Sequence, residues 1–534
     1  MERVEAGRRR SERCAVRARW AGLALLALYA AFLFPFALAR APGWLPDAYV
    51  YLLMAEALSP WGGAASPAAA HVLRSSAFPP LHPLLLGLVG GAEPLAARAF
   101  GVTCLLASLV MLFALARLRG RGAGEALALC GVFAALPVTL LQALEGASEP
   151  LYLLLGLIGL AAAARAEESA SGEGLAAAAV AIGLALATRT AGIALVAAFG
   201  VWLFARRAPR RGAWLAVAFG PFALWSLARA AWLRSTGSYG EALRARLASY
   251  DPELAPALAK AFADQVSALA SAWHSAFAFW PGATTRIAAT AVAVLAVAGL
   301  ARGVRRRDLV ALYAAAYLVM IALWPFPPQA ARLLWPVLPL LLGFALEVAG
   351  AGLERVRPGA GRLAAPGLAL LAALLALPSW GVVAERFPAA LRSELGDFAR
   401  TPRWYLVPDL GASEIDAGSR RHLARAMSAV RDLVPAGECI YAVDPLELMW
   451  WSRRVAMLPP PSGIAAATFA ARSRDCGWFL LSPMVWGPYA SPYYPRERLA
   501  GELEVVAPLV GAGAGHEPLF LARRRARSDA AGGS

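Results

Sequence analysis

Long apolar stretches separated by short polar ones fill the first three quarters of the chain. They lie near 20–40, 95–116, 125–143, 150–164, 175–188, 190–205, 213–233, 284–301, 309–324, 332–350 and 363–384. About 17 to 25 apolar residues in a helix cross a hydrocarbon core, so the pattern predicts an α-helical multi-pass membrane protein with about eleven spans. After about 385 the pattern changes. ECIYAV, CGWFLL, ELEVVAPLV and EPLFLARR read as strands, and DPLELMWWS reads as a helix between the first two. The expected organisation is a basic amino terminus over 1–19 and a membrane domain over 20–385 whose first outer loop is 41–94. A small α/β domain over 386–522 and a disordered tail over 523–534 complete it.

Composition agrees with this picture. Of 534 residues, 59% are hydrophobic and only 16% charged, with mean hydropathy +0.55, far from the averages of a soluble domain. The formal charge of +16 does not imply nucleic acid, because a nucleic-acid surface gathers its arginines on one exposed face. Here they fall in alternate loops, at 8–19, 117–122, 206–212, 301–308 and 354–362. The positive-inside rule makes those loops cytoplasmic. The amino terminus is then inside, and an odd number of spans puts the C-terminal domain on the extracytoplasmic side of the inner (plasma) membrane. A cleaved signal peptide ending at Ala37-Leu38-Ala39 is the lesser alternative, because the run is longer than a usual signal core and many spans follow it. Of five cysteines, Cys104 and Cys130 fall in spans as small apolar residues. Cys439 and Cys476 share the outer domain, where an oxidising compartment permits a bridge without requiring one.

The outer loops carry the candidate chemistry. The first contains PDAYVYLLMAEAL. Pro46 suits the first position of a helix, and Asp47 in its first turn is favoured in the ionised form by the unpaired amides there. A short helix along the membrane surface is expected, with Tyr51 and Leu58 on the face of Asp47 and Glu56 opposite. On pattern alone, Asp47 reads equally well as a helix cap. Further on, Pro79, Pro80 and Pro83 stiffen a corner beside His71, Arg74 and His82. For the histidines a structural role outweighs a catalytic one. The second outer loop, LEGASEPLY, is bounded by Glu145 and Glu149, carboxylates that are costly at a membrane face unless paired or hydrated. Either acid, or Ser148, also suits as the cap of a helix starting at Pro150. Arg189 in ALATRTAGIAL and Arg332 in PFPPQAARLLWPVLPLLL stand at outer ends of spans. Each either snorkels to lipid phosphate or holds a substrate's phosphate.

Other segments narrow the function. The loop over 234–283 predicts an amphipathic helix parallel to the outer surface, with His274 read as part of a lid without chemistry. Trp450-Trp451 and WGPYASPYYP suit stacking on sugar rings, a core, or contact with lipid headgroups. No Walker loop, dinucleotide fingerprint, HExxH or paired CxxC occurs, so nothing implies a nucleotide-sugar donor.

Taken in order, the motifs resemble a family. Asp47 with Tyr51 after it, FPPLHPLLLGL, the Arg98 of EPLAARAFG, SEPLYLLLGLIGLAAAAR, LATRTAGIAL and QAARLLWPVLPLLL are similar to those of the GT-C glycosyltransferases. The nearest branch is that of the bacterial protein O-mannosyltransferases and the aminoarabinose transferases of lipid A. The resemblance covers about 20–385 and rests on the order of the motifs. It implies a GT-C-like membrane domain, a sugar donor on polyprenyl phosphate, and an Asp of the first outer loop acting near the acceptor, the place Asp47 occupies. It also implies basic residues on the donor phosphate, where Arg189 and Arg332 match. Arg74, His82, Arg98 and Tyr51 are the further substrate-binding candidates. The sequence departs from the family where Ala48 follows Asp47 in place of a second acid, and where Glu145 or Glu149 replaces an Asp of the second loop. The departures leave the second acid and any divalent metal open.

The expected activity is transfer of a sugar from a polyprenyl-phosphate donor to a hydroxyl of a lipid, glycan or protein acceptor on the outer face. Asp47 is the expected general base, with inversion at the anomeric carbon. A transporter or flippase of lipid-linked saccharide is the alternative. It would favour midplane charges and paired repeats, which the sequence does not show. A non-catalytic assembly scaffold is the third reading.

Overall fold

The computed structural model describes residues 22–34, 46–90, 93–169, 171–208, 210–233, 243–244, 246–247, 253–391, 426–442, 444–459, 475–481, 503–510 and 519–525. Contacts divide the chain into two units: Met1–Ala39, Ser76–His82 and Pro94–Arg392 form one, and Arg40–Ser75, Pro83–Glu93 and Ser393–Ser534 the other.

The first unit is helical. Six of its described helices are long and apolar enough to cross a membrane: Leu95–Leu118, Glu149–Ser169, Arg211–Ala231, Ala283–Arg305, Pro327–Val356 and Ala360–Gly381. Ala123–Ala135 with Pro137–Leu144, bent by 68°, is either a seventh, broken span or a re-entrant loop. Pro137 causes the bend, since proline drives the preceding residue out of the helical region and Leu136 sits at φ −66°, ψ 128°. The uninterrupted run read over 125–143 is therefore two helices. Gly22–Phe34, Gly172–Thr188, Thr190–Ala205 and Leu309–Ala322 are apolar but only 10 to 17 residues long. At about 1.5 Å per residue they fall short of a core about 30 Å thick. By length and composition the described helices alone supply six or seven spans.

Burial separates core helices from peripheral ones. In Pro327–Val356, 78% of the apolar window is buried, against 6% in Arg211–Ala231. An apolar helix left uncovered by protein is one that lipid covers. The buried segment is not one regular helix. Its four prolines split it into a 3₁₀ turn Pro327–Gln329, a short helix Ala330–Leu334, a second 3₁₀ turn Trp335–Val337, and the helix Leu338–Val356. The loop over 234–283 forms the expected amphipathic helix, Leu254–Phe277, burying Ala257, Ala261, Gln265, Ala272, Trp273, Ala276 and Phe277.

In the second unit, Pro46–Leu58 is a helix as expected, but Ala48 through Ala55 are all buried. A helix apolar all round is an enclosed one, and here protein covers Ala48 through Ala55 on every side. It packs on the helices Pro67–Ser75 and Pro445–Ser452. Tyr49 donates to Glu447 Oε1 at 3.2 Å, and Arg453 Nη1 donates to Glu56 Oε2 at 2.5 Å while lying over the Trp450 ring. Five strands form one sheet: β1 (Cys439–Tyr441), β2 (Val455–Met457), β3 (Trp478–Leu481), β4 (Leu503–Val510) and β5 (Leu519–Arg524), in the order β2-β1-β3-β5-β4. β1 is parallel to β2 and β3, and β5 is antiparallel to β3 and β4. The Pro445–Ser452 helix is the crossover between β1 and β2. β2 arises from RVAM, a stretch too short for its alternation to mark it as a strand. A disulfide joins Cys439 to Cys476. The stretch WGPYASPYYP and the tail from 526 lie outside the described residues.

Candidate active site

Glu149, Arg189 and Arg332 meet in the first unit although far apart in sequence. Glu149 is the first residue of its helix and is wholly buried. It lies where unpaired backbone amides favour an anion. Arg189 occupies an extended gap at φ −147° between Gly172–Thr188 and the 3₁₀ turn Thr190–Gly192. That gap depends on Gly192, because a Cβ there would come within 2.5 Å of Leu186 Cα. Arg332 stands on the short Ala330–Leu334 helix, framed by prolines, with 9% of its side chain exposed.

Both guanidinium groups close on one oxygen. Arg189 Nη1 and Arg332 Nε each donate to Glu149 Oε1. Arg189 Nη1 also donates to Ser148 Oγ at 3.3 Å. Among the described residues Oε2 of Glu149 has no hydrogen-bond partner. The cluster therefore sets two guanidinium groups on one carboxylate oxygen in a buried place. Buried charge of this kind is tolerated only where it is paired, or where it awaits a counter-charge.

Neutral groups surround the cluster. His82 is buried and its Nε2 faces the Gly146 carbonyl at 3.5 Å, with its ring 5.8 Å from that of Phe100. Gly146 at φ +64° turns the chain so that this carbonyl points back. Burial pushes the His82 imidazole down to about 4, outweighing the upward pull of the Gly146 bond and of Glu149. His82 is thus a neutral donor at physiological pH. Tyr152 and Tyr313 share a hydrogen bond of 3.0 Å, and the Tyr152 hydroxyl also reaches Ala191 O at 3.4 Å. Tyr317 lies against both rings, close enough to Glu149, Arg189 and Arg332 to feel their charges. Its hydroxyl is buried with no hydrogen-bond partner among the described residues.

The two acids of the second outer loop part company. Glu149 receives both arginines, whereas Glu145 is a half-buried C-cap that accepts from Gln142 Nε2 at 2.9 Å. Arg98, buried in the first turns of Pro94–Leu118, belongs to the same unit. Asp47, Tyr51 and Arg74 belong to the second unit. Asp47 is half-buried in the first turn of its helix, Tyr51 is buried, and Arg74 is exposed in the last turn of Pro67–Ser75. Sequence reasoning missed the tyrosines. Tyr152 sits in the quoted SEPLY, and the four-residue spacing of Tyr313 and Tyr317 puts both on one helical face. That is a weak signal in an apolar run. Among the described residues no group of three or more His, Cys, Asp or Glu side chains is placed to hold a metal ion.

No protein-family model and no curated protein matches the sequence. Among solved structures, ArnT from Cupriavidus metallidurans in the apo state is similar with TM-score 0.50 at 14% identity, over 95% of this chain and 98% of that one. ArnT from the same organism bound to undecaprenyl phosphate gives TM-score 0.48 at 14% identity, over 93% and 97%. The archaeal oligosaccharyltransferase AglB from Archaeoglobus fulgidus, in complex with an inhibitory peptide and a dolichol-phosphate, gives 0.49 at 13%, over 89% and 72%. At such identity the likeness to apo ArnT is one of fold, and the fold is the GT-C fold expected from the order of motifs.

Proposed function

We propose that this chain, having the GT-C fold, is a membrane glycosyltransferase that moves a sugar from a polyprenyl-phosphate donor to an acceptor hydroxyl. The observation that carries the reading is the buried Glu149–Arg189–Arg332 cluster, in which two guanidinium groups converge on one carboxylate oxygen. Guanidinium groups match phosphate oxygens with a rigid fork of donors. Held by Glu149 before substrate arrives, they need little reorganisation as negative charge grows on the departing phosphate, which favours the transition state over the ground state. Glu149 in this reading positions the arginines and is not the base, because its Oε1 is already occupied by two cations. ArnT was crystallised with undecaprenyl phosphate, and AglB with a dolichol-phosphate. A ligand of that class here agrees with both.

Asp47 takes the acceptor's proton. The acceptor oxygen attacks the anomeric carbon, the bond from that carbon to the phosphate oxygen breaks, and polyprenyl phosphate leaves with the electron pair. The proton passes from the hydroxyl to the Asp47 carboxylate. One displacement inverts the anomeric centre. The reading takes the shorter apolar helices as crossings aided by local thinning of the bilayer, giving eleven spans, a cytoplasmic amino terminus and an outer C-terminal domain in the inner membrane.

The test is to incubate membranes containing the chain with radiolabelled polyprenyl-phosphate sugars and separate the products. Label in a new product together with free polyprenyl phosphate supports the transferase. Intact donor appearing in the opposite leaflet without cleavage supports a flippase instead.

A further inference from the structure

The segment Pro327–Val356, which carries Arg332 near its start, also helps to build a second polar site toward its other end. Near the start of Pro94–Leu118, Gly101 meets Ala143, one short turn before Glu149. Arg119 follows the last turn of that same helix, so the chain has crossed the unit in between. There a cavity of about 450 Å³ is lined by Arg119, Arg121, Glu125, Arg306, Glu347 and neighbouring glycines.

Its charges are not all engaged alike. Arg119 Nη1 donates to both oxygens of Asp308 at 2.8 Å and is thereby neutralised. Arg121 donates to the Gly343 carbonyl at 2.6 Å, and among the described residues no carboxylate lies within ion-pair distance of it. Arg306 stands 3.9 Å from Glu347 with 70% of its side chain exposed. Glu125 accepts from the Gly122 amide at 3.3 Å. With the Arg119–Asp308 pair set aside, the cavity offers two guanidinium groups and two carboxylates. Beside it lies a small apolar recess of about 20 Å³, room for about one water-sized group, that shares Arg119 and Arg121 and is walled by Leu112, Leu115, Leu129, Val310, Leu340 and Phe344.

We propose that the cavity holds the headgroup of one phosphatidylethanolamine molecule, with its phosphate at Arg121 and Arg306 and its ammonium at Glu347 and Glu125. Basic pockets between spans take lipid headgroups, and charge decides which one. A headgroup of phosphate and ammonium meets a cation and an anion at once. An anionic glycerol headgroup would set its phosphate beside two unanswered carboxylates. A free phosphate would likewise bring no cation to Glu125 and Glu347. On the expected topology this end faces the cytoplasmic leaflet.

Native mass spectrometry on the full chain, purified in detergent and stripped of lipid, tests this by adding dioleoyl phosphatidylethanolamine, dioleoyl phosphatidylglycerol or inorganic phosphate. The expected result is one bound phosphatidylethanolamine, preferred about tenfold over phosphatidylglycerol, with that binding weakened about tenfold in Arg121→Gln. The double variant Glu125→Gln, Glu347→Gln is expected to gain phosphatidylglycerol binding until the preference disappears, a gain that misfolding does not produce. Equal binding of the two lipids by the wild type, unchanged binding in Arg121→Gln, no gain in the double variant, or binding of inorganic phosphate as tight as that of lipid would each overturn the proposal.

Discussion

Arg332 donates from Nε to Oε1 of Glu149 across 183 positions of sequence, in a place where the carboxylate is shut off from solvent. Arg189 shares that oxygen, so the carboxylate anchors the pair. Removing one partner of a buried ion pair leaves an uncompensated charge and costs roughly 3–5 kcal/mol. Glu149→Ala should lower the thermal midpoint of the purified chain, and Glu149→Asp should retain more of it. A midpoint unchanged in Glu149→Ala would show that the arginines do not depend on the carboxylate.

Arg189→Lys and Arg332→Lys keep the charge but lose the planar fork. Each is expected to weaken polyprenyl-phosphate binding while preserving the fold, with thermal midpoints closer to wild type than that of Glu149→Ala. Lysine variants that bind and turn over as well as wild type would mean that charge alone suffices.

Asp47→Asn is nearly isosteric and removes the carboxylate proposed as the base. Transfer should fall about 100- to 10,000-fold, with donor affinity and thermal midpoint unchanged. Equal transfer by the variant would take Asp47 out of the reaction.

The depressed His82 value, about 4, has a signed consequence. Unfolded, the imidazole titrates near its ordinary value of about 6.5. Between those values the unfolded chain binds more protons, so stability is full above about pH 6.5 and is lost as pH falls toward 4. His82→Gln should flatten that part of the stability-against-pH curve in thermal melts. An equal acid slope in wild type and variant would contradict a buried neutral His82.

The Cys439–Cys476 bond closes a separation of 37 residues between β1 and the approach to β3. The loop-entropy relation gives it roughly 3–4 kcal/mol. Reduction, or Cys476→Ser, should loosen the sheet, read as faster amide exchange in β1 and β3. Unchanged exchange would show that strand pairing needs no crosslink.

Apolar run length made the membrane class legible in the sequence, and the order of short motifs made the GT-C fold legible. Alternation located four of the strands, but β2, three residues long, is fixed by its parallel pairing to β1, a non-local contact. Periodicity also left the burial of Pro46–Leu58 unread. It assigns faces to a helix but cannot say that partners cover all of them. The candidate residues Glu149, Arg189 and Arg332 stood out as charges in apolar surroundings. That Glu149, and not Glu145, takes both arginines depends on a turn at Gly146 and on the packing of three helices, neither of which local pattern encodes. At the second polar end, Arg121 was legible only as topology-setting charge in the loop 117–122, and Glu347 lay unmarked inside the apolar run 332–350.

The account turns on the Arg189–Arg332 pair gripping a lipid phosphate. Its most direct test is the affinity of the purified chain for undecaprenyl phosphate against undecaprenol, in wild type and in Arg189→Gln and Arg332→Gln. The account predicts that wild type prefers the phosphate strongly and that each variant loses most of that preference. Equal affinity for the alcohol, or variants that bind the phosphate as wild type does, would contradict it.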